Sequence, residues 1–134
     1  MDSVEPDTKD YVEKDGVKIY YEYYGKRDRP AILLQNGIAM HTGSWAQFIP
    51  PLLKWVDILV WDYRGQGQST SDNNQYSVED FSDYLKLIVD TLQLQPKYVN
   101  PVGVSFGSFV TADFIRKYPE SANKAVLSGT YLTR

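Results

Sequence analysis

Gly103-Val104-Ser105-Phe106-Gly107 stands between an apolar, strand-like run from Tyr98 to Val104 and a helical stretch that Pro119 closes. A serine between two glycines at a strand-to-helix junction is held on a sharp turn. Its Oγ is raised above the sheet, where it serves as a nucleophile toward acyl carbonyls. The glycines are needed because side chains there would strike the neighbouring strand and helix. The N-terminus of the following helix favours the negative charge that develops during acyl transfer. Taken alone, the pentapeptide also fits a glycine-rich turn whose serine merely caps the helix.

A second segment, Asp62-Tyr63-Arg64-Gly65-Gln66-Gly67-Gln68-Ser69, follows another buried-type strand. It fails as a phosphate loop. Thr70 stands where a third glycine would be, no helix opens directly there, and the chain has no Gly-Lys-Ser/Thr loop, so nucleotide binding is disfavoured. By itself it reads as a tight loop fixed by an Asp62/Arg64 pair. The chain has a single histidine, His41, and no cysteine. Disulfides, thiol nucleophiles and thiolate metal sites are therefore excluded, and histidine catalysis must use His41 or another chain.

These residues need a scaffold. A chain of 134 residues, 43% hydrophobic and 23% charged, suits one domain with a real core and is not disordered. A net charge of −3 lacks the cationic footprint of a nucleic-acid binder. The acidic N-terminus, Met1 to Asp7, has no apolar region of a secretory signal, and the longest apolar runs are too short to span a bilayer. A cytoplasmic protein with neither nucleic-acid nor membrane partners is the expectation.

Residues 1–9 read as a loose tail and residues 10–134 as one domain. Tyr11 to Tyr24 reads as a β-hairpin turning at Asp15-Gly16. Ala31 to Leu34, Val56 to Trp61 and Tyr98 to Val104 read as strands buried on both faces, and Lys124 to Ser128 as a last strand. Ser44 is placed to cap a short helix through Trp45 and Phe48, which Pro50-Pro51 must bend or end. Ser77-Val78-Glu79-Asp80 has the form of a capping box, opening a helix with Phe81, Tyr84, Leu85, Ile88 and Leu92 on one face. A hairpin followed by alternating strands and helices predicts an α/β fold: a mostly parallel sheet with flanking helices.

The two chemical segments, in this order and with a small-residue loop after the first central strand, resemble the α/β-hydrolase fold enzymes. The likeness is to the capped esterase, lactonase, haloperoxidase and C–C hydrolase branch. It rests on Asn36-Gly37-Ile38, Trp45, Asp62-x-Arg64-Gly65-x-Gly67-x-Ser69 and Gly103-x-Ser105-x-Gly107, and runs from Tyr11 to Arg134. It implies the N-terminal half of that fold, about six of its eight strands, with the cap and C-terminal part absent.

The resemblance implies roles. Ser105 is the nucleophile, and the backbone N–H groups of Phe106 and Ile38 form the oxyanion hole. Gly37 and Trp45 are expected at the substrate, a small acyl compound, and neither metal nor organic cofactor is required. The family usually carries His-Gly where this chain has Asn36-Gly37, so the bonds shaping that loop must differ. Ser108 follows Gly107 where a second glycine is common. His41 lies on the oxyanion side, at the pocket or facing solvent, whereas the family's catalytic histidine comes near the C-terminus. Asp62 is structural.

On this fold the order is Ser, then Asp/Glu, then His. No histidine follows Ser105, and the carboxylates that do, Asp113 and Glu120, fall in or at the end of a helix. These residues cannot complete a triad among themselves and are expected to be inactive alone. The favoured reading is the N-terminal part of a longer serine hydrolase working through an acyl-enzyme; an acyltransferase or cofactor-free perhydrolase uses the same constellation. The alternatives are one half of a split enzyme completed by a C-terminal chain, or a non-catalytic binding module. The last strand would then present an open edge suited to self-association or to that second chain.

Overall fold

The computed structural model describes residues 4–71 and 76–129. Asp15 and Gly16 take φ of 52° and 81°, the paired positive values that a two-residue hairpin turn demands. They join strands β1 (Thr8–Lys14) and β2 (Val17–Tyr24) in antiparallel register from Lys14↔Val17 to Thr8↔Tyr23. Thr8 and Lys9 thus belong to the sheet rather than to a tail. Asp7 is anchored too, its backbone N–H donating to Tyr23 O at 2.9 Å and its carboxylate accepting from Gly25 N at 2.6 Å.

Strands β3 (Ala31–Gln35), β4 (Asp57–Trp61), β5 (Val99–Val104) and β6 (Val126–Ser128) complete a six-stranded sheet of order β1-β2-β4-β3-β5-β6. β2 meets β4 antiparallel, and the pairs from β4 through β6 are parallel. Every residue of β4 is buried, as the apolar run Ile58 to Trp61 requires of a strand covered on both faces, and Asp57 at its start is paired with Arg29.

The helices divide between those faces. α1 (Ile49–Leu52) packs Ile49 on one, against Leu34, Trp45, Ile58 and Val60. α2 (Val78–Leu92) and α3 (Phe106–Lys117) cover the other, over Leu33, Leu59, Trp61 and Val99. The α2 face read from the sequence is the one buried, and Asp80 accepts from Ser77 N at 2.7 Å as a capping box requires.

Two local expectations are corrected. Pro50 and Pro51 do not end a helix: they sit in the first turn of α1, where the missing N–H groups would have no intrahelical acceptor. The turn before it, a 3-10 helix at Thr42–Trp45, is capped by His41 rather than by Ser44.

Topology places the site. The chain leaves β3 toward α1 on one face and leaves β5 toward α3 on the other, and β3 and β5 are neighbours. In an open α/β sheet, a crevice forms beyond the carboxyl ends of two such strands, because their loops depart in opposite directions.

The sheet is not covered evenly. Along β5, Val99, Pro101 and Gly103 are buried, while Asn100, Val102 and Val104 on the opposite face are half-buried. All of β6 is exposed, with Val126 at 55% and Leu127 at 48%.

Candidate active site

Ser105 follows β5 directly and precedes α3, at φ 54° and ψ −117°. A non-glycine residue at positive φ is strained by roughly 1–3 kcal/mol and persists only where its surroundings hold it. Here they do. Its N–H donates to Ser128 O at 2.8 Å, and its carbonyl accepts from Ser108 N at 2.9 Å and Ser108 Oγ at 2.6 Å. Ser108, which replaces the commoner glycine, therefore braces the turn.

The flanking glycines are explained by close approach. A Cβ on Gly103 would collide with the Gly107 carbonyl and lie 2.6 Å from Ser108 Cα. One on Gly107 would run into the Gln35 carbonyl and lie 2.8 Å from Asn36 O. α3 can therefore rest on β5 only with hydrogen at Gly103, and on β3 only with hydrogen at Gly107. Ser105 itself is exposed. Phe106 is the first residue of α3, so its N–H has no acceptor within the helix and points toward the same end of the sheet.

The loop after β3 adjoins this turn. A Cβ on Gly37 would be 3.8 Å from Ser105 Cβ and 3.7 Å from Val104 O. Gly37 N–H donates to Met40 Sδ at 3.1 Å and Gly37 O accepts from Met40 N at 3.2 Å, a tight turn in which Ala39 takes φ 69°. Ile38, at its tip, is 70% exposed, and its N–H has no acceptor among the described residues.

Asn36 shows how this chain manages without the usual histidine. It is fully buried, its Nδ2 donates to Trp61 O at 2.8 Å, and its Oδ1 accepts from Trp45 Nε1 at 2.6 Å. Trp45, expected against the substrate, is instead 8% exposed in the core, with its indole N–H spent on Asn36. It supports the loop from below.

Asp62 does structural work, but not through Arg64. Its carboxylate accepts from Thr42 N at 2.7 Å and Gln68 N at 2.9 Å, tying two loops together. Arg64 reaches Tyr84 Oη at 2.8 Å and lies over the Tyr76 ring. His41 is exposed and accepts from Gly43 N at Nδ1, 3.0 Å. That bond makes His41 the cap of its own 3-10 turn. Asp113 ties the helices instead of facing Ser105: it accepts from Ser82 Oγ at 2.5 Å and pairs with Arg116 at 2.7 Å.

Gln35 and Tyr63 were not singled out from the sequence. Gln35, fully buried, donates to Leu33 O and Thr111 Oγ1 and accepts from Trp61 Nε1 at 3.0 Å. A polar residue ending the run Ala31 to Leu34 was the one available signal, since a buried amide must find partners.

The arrangement resembles that of known proteins. A family model described as the alpha/beta hydrolase fold matches residues 30–133. The bifunctional esterase/perhydrolase DCH of Acinetobacter calcoaceticus is 32% identical over 116 residues, covering 85% of this chain and 41% of that protein. The 3-oxoadipate enol-lactonase 2 of Acinetobacter baylyi is 24% identical over 122 residues, covering 91% and 45%. Among solved structures, MGS-M2, an alpha/beta hydrolase enzyme from a Medee basin deep-sea metagenome library, superimposes with a TM-score of 0.81 at 29% identity, covering 88% of this chain and 43% of that one. The chain thus spans less than half the length of each of these relatives.

Proposed function

The chain belongs to the α/β hydrolase fold family, and from that premise we propose that it forms the nucleophile-bearing part of a serine hydrolase. Ser105 Oγ loses its proton to a base and attacks the carbonyl of an ester or lactone. The carbonyl C–O bond breaks, the alcohol takes up that proton and leaves (in a lactone it stays tethered to the acyl group), and Ser105 is acylated. The N–H groups of Ile38 and Phe106 receive the oxyanion, and water then releases the acid. The observation that carries this reading is the backbone of Ser105. A strained, exposed serine is braced by three hydrogen bonds, one to Ser128 O and two from Ser108, and stands beside a loop that leaves its amide at Ile38 unengaged. A turn that only capped a helix would need neither the strain nor the neighbouring loop.

The base and its acid come from outside these 134 residues. His41 is committed to Gly43, and Asp113 to Ser82 and Arg116. The half-buried Ile32, Val102 and Val104, with exposed Val126 in register with Val102, form the apolar surface on which such a part would pack. Whether it arrives in the same polypeptide or as a second chain, that surface is its seat.

A chimera tests the proposal: residues 1–129 continued by the C-terminal part of the Acinetobacter esterase/perhydrolase, assayed on p-nitrophenyl esters. Turnover that Ser105→Ala abolishes is expected. A folded chimera without turnover, or with turnover that survives Ser105→Ala, would count against Ser105 as nucleophile.

A further inference from the structure

We propose that Tyr63 is a positioning residue that couples the two halves of the oxyanion site, an inference that rests on the hydrolase reading above. Tyr63 follows β4 and is fully buried. Its Oη donates to the carbonyl oxygen of Asn36 at 2.6 Å. Its ring meets that of Phe106 edge-on, with centroids 5.8 Å apart, and is backed by Trp61 at 4.9 Å and Phe81 at 4.8 Å. One side chain therefore touches both the segment leading to Ile38 and the residue whose N–H is the second donor.

The hydroxyl bond has a definite mechanical consequence. Because a peptide unit is planar, holding the Asn36 oxygen fixes the plane that ends at Gly37. The next plane carries the Ile38 N–H, and its own oxygen, that of Gly37, is held by Met40 N. Only φ and ψ of Gly37 remain between the two pinned planes. The Asn36 side chain is anchored separately, on Trp45 and Trp61, so its bonds do not duplicate the one from Tyr63.

The hydroxyl is not needed for packing. A phenylalanine would complete the same aromatic cluster, whereas a buried O–H gains little unless its bond is made. Burial also drives the Tyr63 phenol well above its ordinary value, so it remains a donor over the whole working range. The ring then relays position from the other side. Phe106 cannot shift without moving against Tyr63, and its ring is held by Phe81 as well, at 5.5 Å. The separation of the two donors is thereby set by one rigid side chain rather than by two independent loops.

The test uses the uniformly 15N-labelled chain, Tyr63→Phe and Phe106→Leu, with phenylboronic acid as the tetrahedral probe and imidazole added throughout as the diffusible base. Tyr63→Phe is expected to move the Gly37 and Ile38 amide resonances while leaving those of β1 in place. It should weaken boronate binding about tenfold, less than the hundredfold or more that follows outright removal of an oxyanion donor. Phe106→Leu, which breaks the ring contact from the other side, is expected to move the same Gly37 and Ile38 resonances. Unmoved Gly37 and Ile38 amides in either variant would overturn the inference, as would equal boronate affinity in wild type and Tyr63→Phe. Boronate that leaves the wild-type Ile38 and Phe106 amides untouched would refute the hydrolase reading instead, and the resonance shifts of the free variants would still decide the role of Tyr63.

Discussion

Replacing Gly107 by alanine sets two effects of opposite sign against each other. In an ordinary helix position this change stabilises by about 1 kcal/mol, because glycine has more backbone freedom to lose. Here the new Cβ meets the Gln35 carbonyl and comes within 2.8 Å of Asn36 O. Neither obstacle is a flexible tip. β3 is hydrogen-bonded on both sides, to β4 and β5, so it cannot bow away. α3 must then withdraw by on the order of 1 Å to restore a normal contact. Overpacking of a rigid core costs roughly 1–3 kcal/mol, and contact with backbone on the crowded side argues for the upper end. The net expectation is a loss of about 2 kcal/mol, opposite in sign to helix propensity. Urea unfolding followed by circular dichroism reads this as a midpoint lowered by roughly 1 M. Ala112→Gly, on the exposed side of α3, is the control and should lose about 1 kcal/mol. A Gly107→Ala chain as stable as wild type, or more so, would mean that α3 does not rest on β3 and that the Ser105 turn is not built as described.

Asp57 is fully buried, with Arg29 Nε at 2.7 Å, Tyr23 Oη at 2.8 Å and Arg27 N at 2.9 Å. Asp57→Ala should cost about 3 kcal/mol, the low end for breaking a buried pair because Arg29 keeps some water, and urea unfolding should show non-additivity with Arg29→Ala. Asn36→Ala leaves the buried Trp45 indole N–H without its acceptor; a loss of about 2 kcal/mol in the same assay is expected, against near zero if the loop is free. Between α2 and α3, burial opposes the ionisation of Asp83 and Asp113. Even so, hydrogen bonds from Lys117 and Tyr118 to the first, and from Ser82 and Arg116 to the second, hold both below the ordinary 3.8. A lowered native value means stabilisation that is present above the unfolded pKa and lost as pH falls through the native one. The thermal-midpoint gap between wild type and Asp113→Asn should therefore be constant above about pH 5 and close toward pH 2. A gap that widens on acidification would show the sign to be wrong.

Much of this architecture was legible in short-range pattern. Asp15-Gly16 marked the hairpin because its two positive-φ positions are a local requirement, and Ser77 to Asp80 with the spaced Phe81, Tyr84, Leu85, Ile88 and Leu92 marked α2. The apolar runs Ala31 to Leu34 and Ile58 to Trp61 gave buried parallel strands. Tyr98 to Val104, expected to be buried on both faces, is half-buried on one, because only β6 lies beyond it and no described helix covers that side. What failed to show was set by partners distant in sequence. Pro50-Pro51 signals a helix end as readily as a helix start, and only the approach of Ile49 to Leu34 and Ile58 decides between them. The family resemblance put Trp45 at the substrate and was silent on the bond its indole N–H makes to the buried Asn36. The Gly103 and Gly107 spacing marked a close approach, yet it could not say that the Gln35 carbonyl is what α3 approaches. Tyr63 carried no signal, since a tyrosine in a loop after a strand is unremarked until its hydroxyl is seen on Asn36.

The hydrolase reading makes Ser105 a nucleophile whose base lies outside these residues. Intact mass spectrometry after incubation with a fluorophosphonate probe tests it, on wild type and Ser105→Ala, with and without imidazole as a diffusible base. An adduct is expected on wild type in imidazole only, and none on Ser105→Ala under either condition. An adduct that persists in Ser105→Ala, or rapid stoichiometric labelling of wild type with no base added, would contradict it.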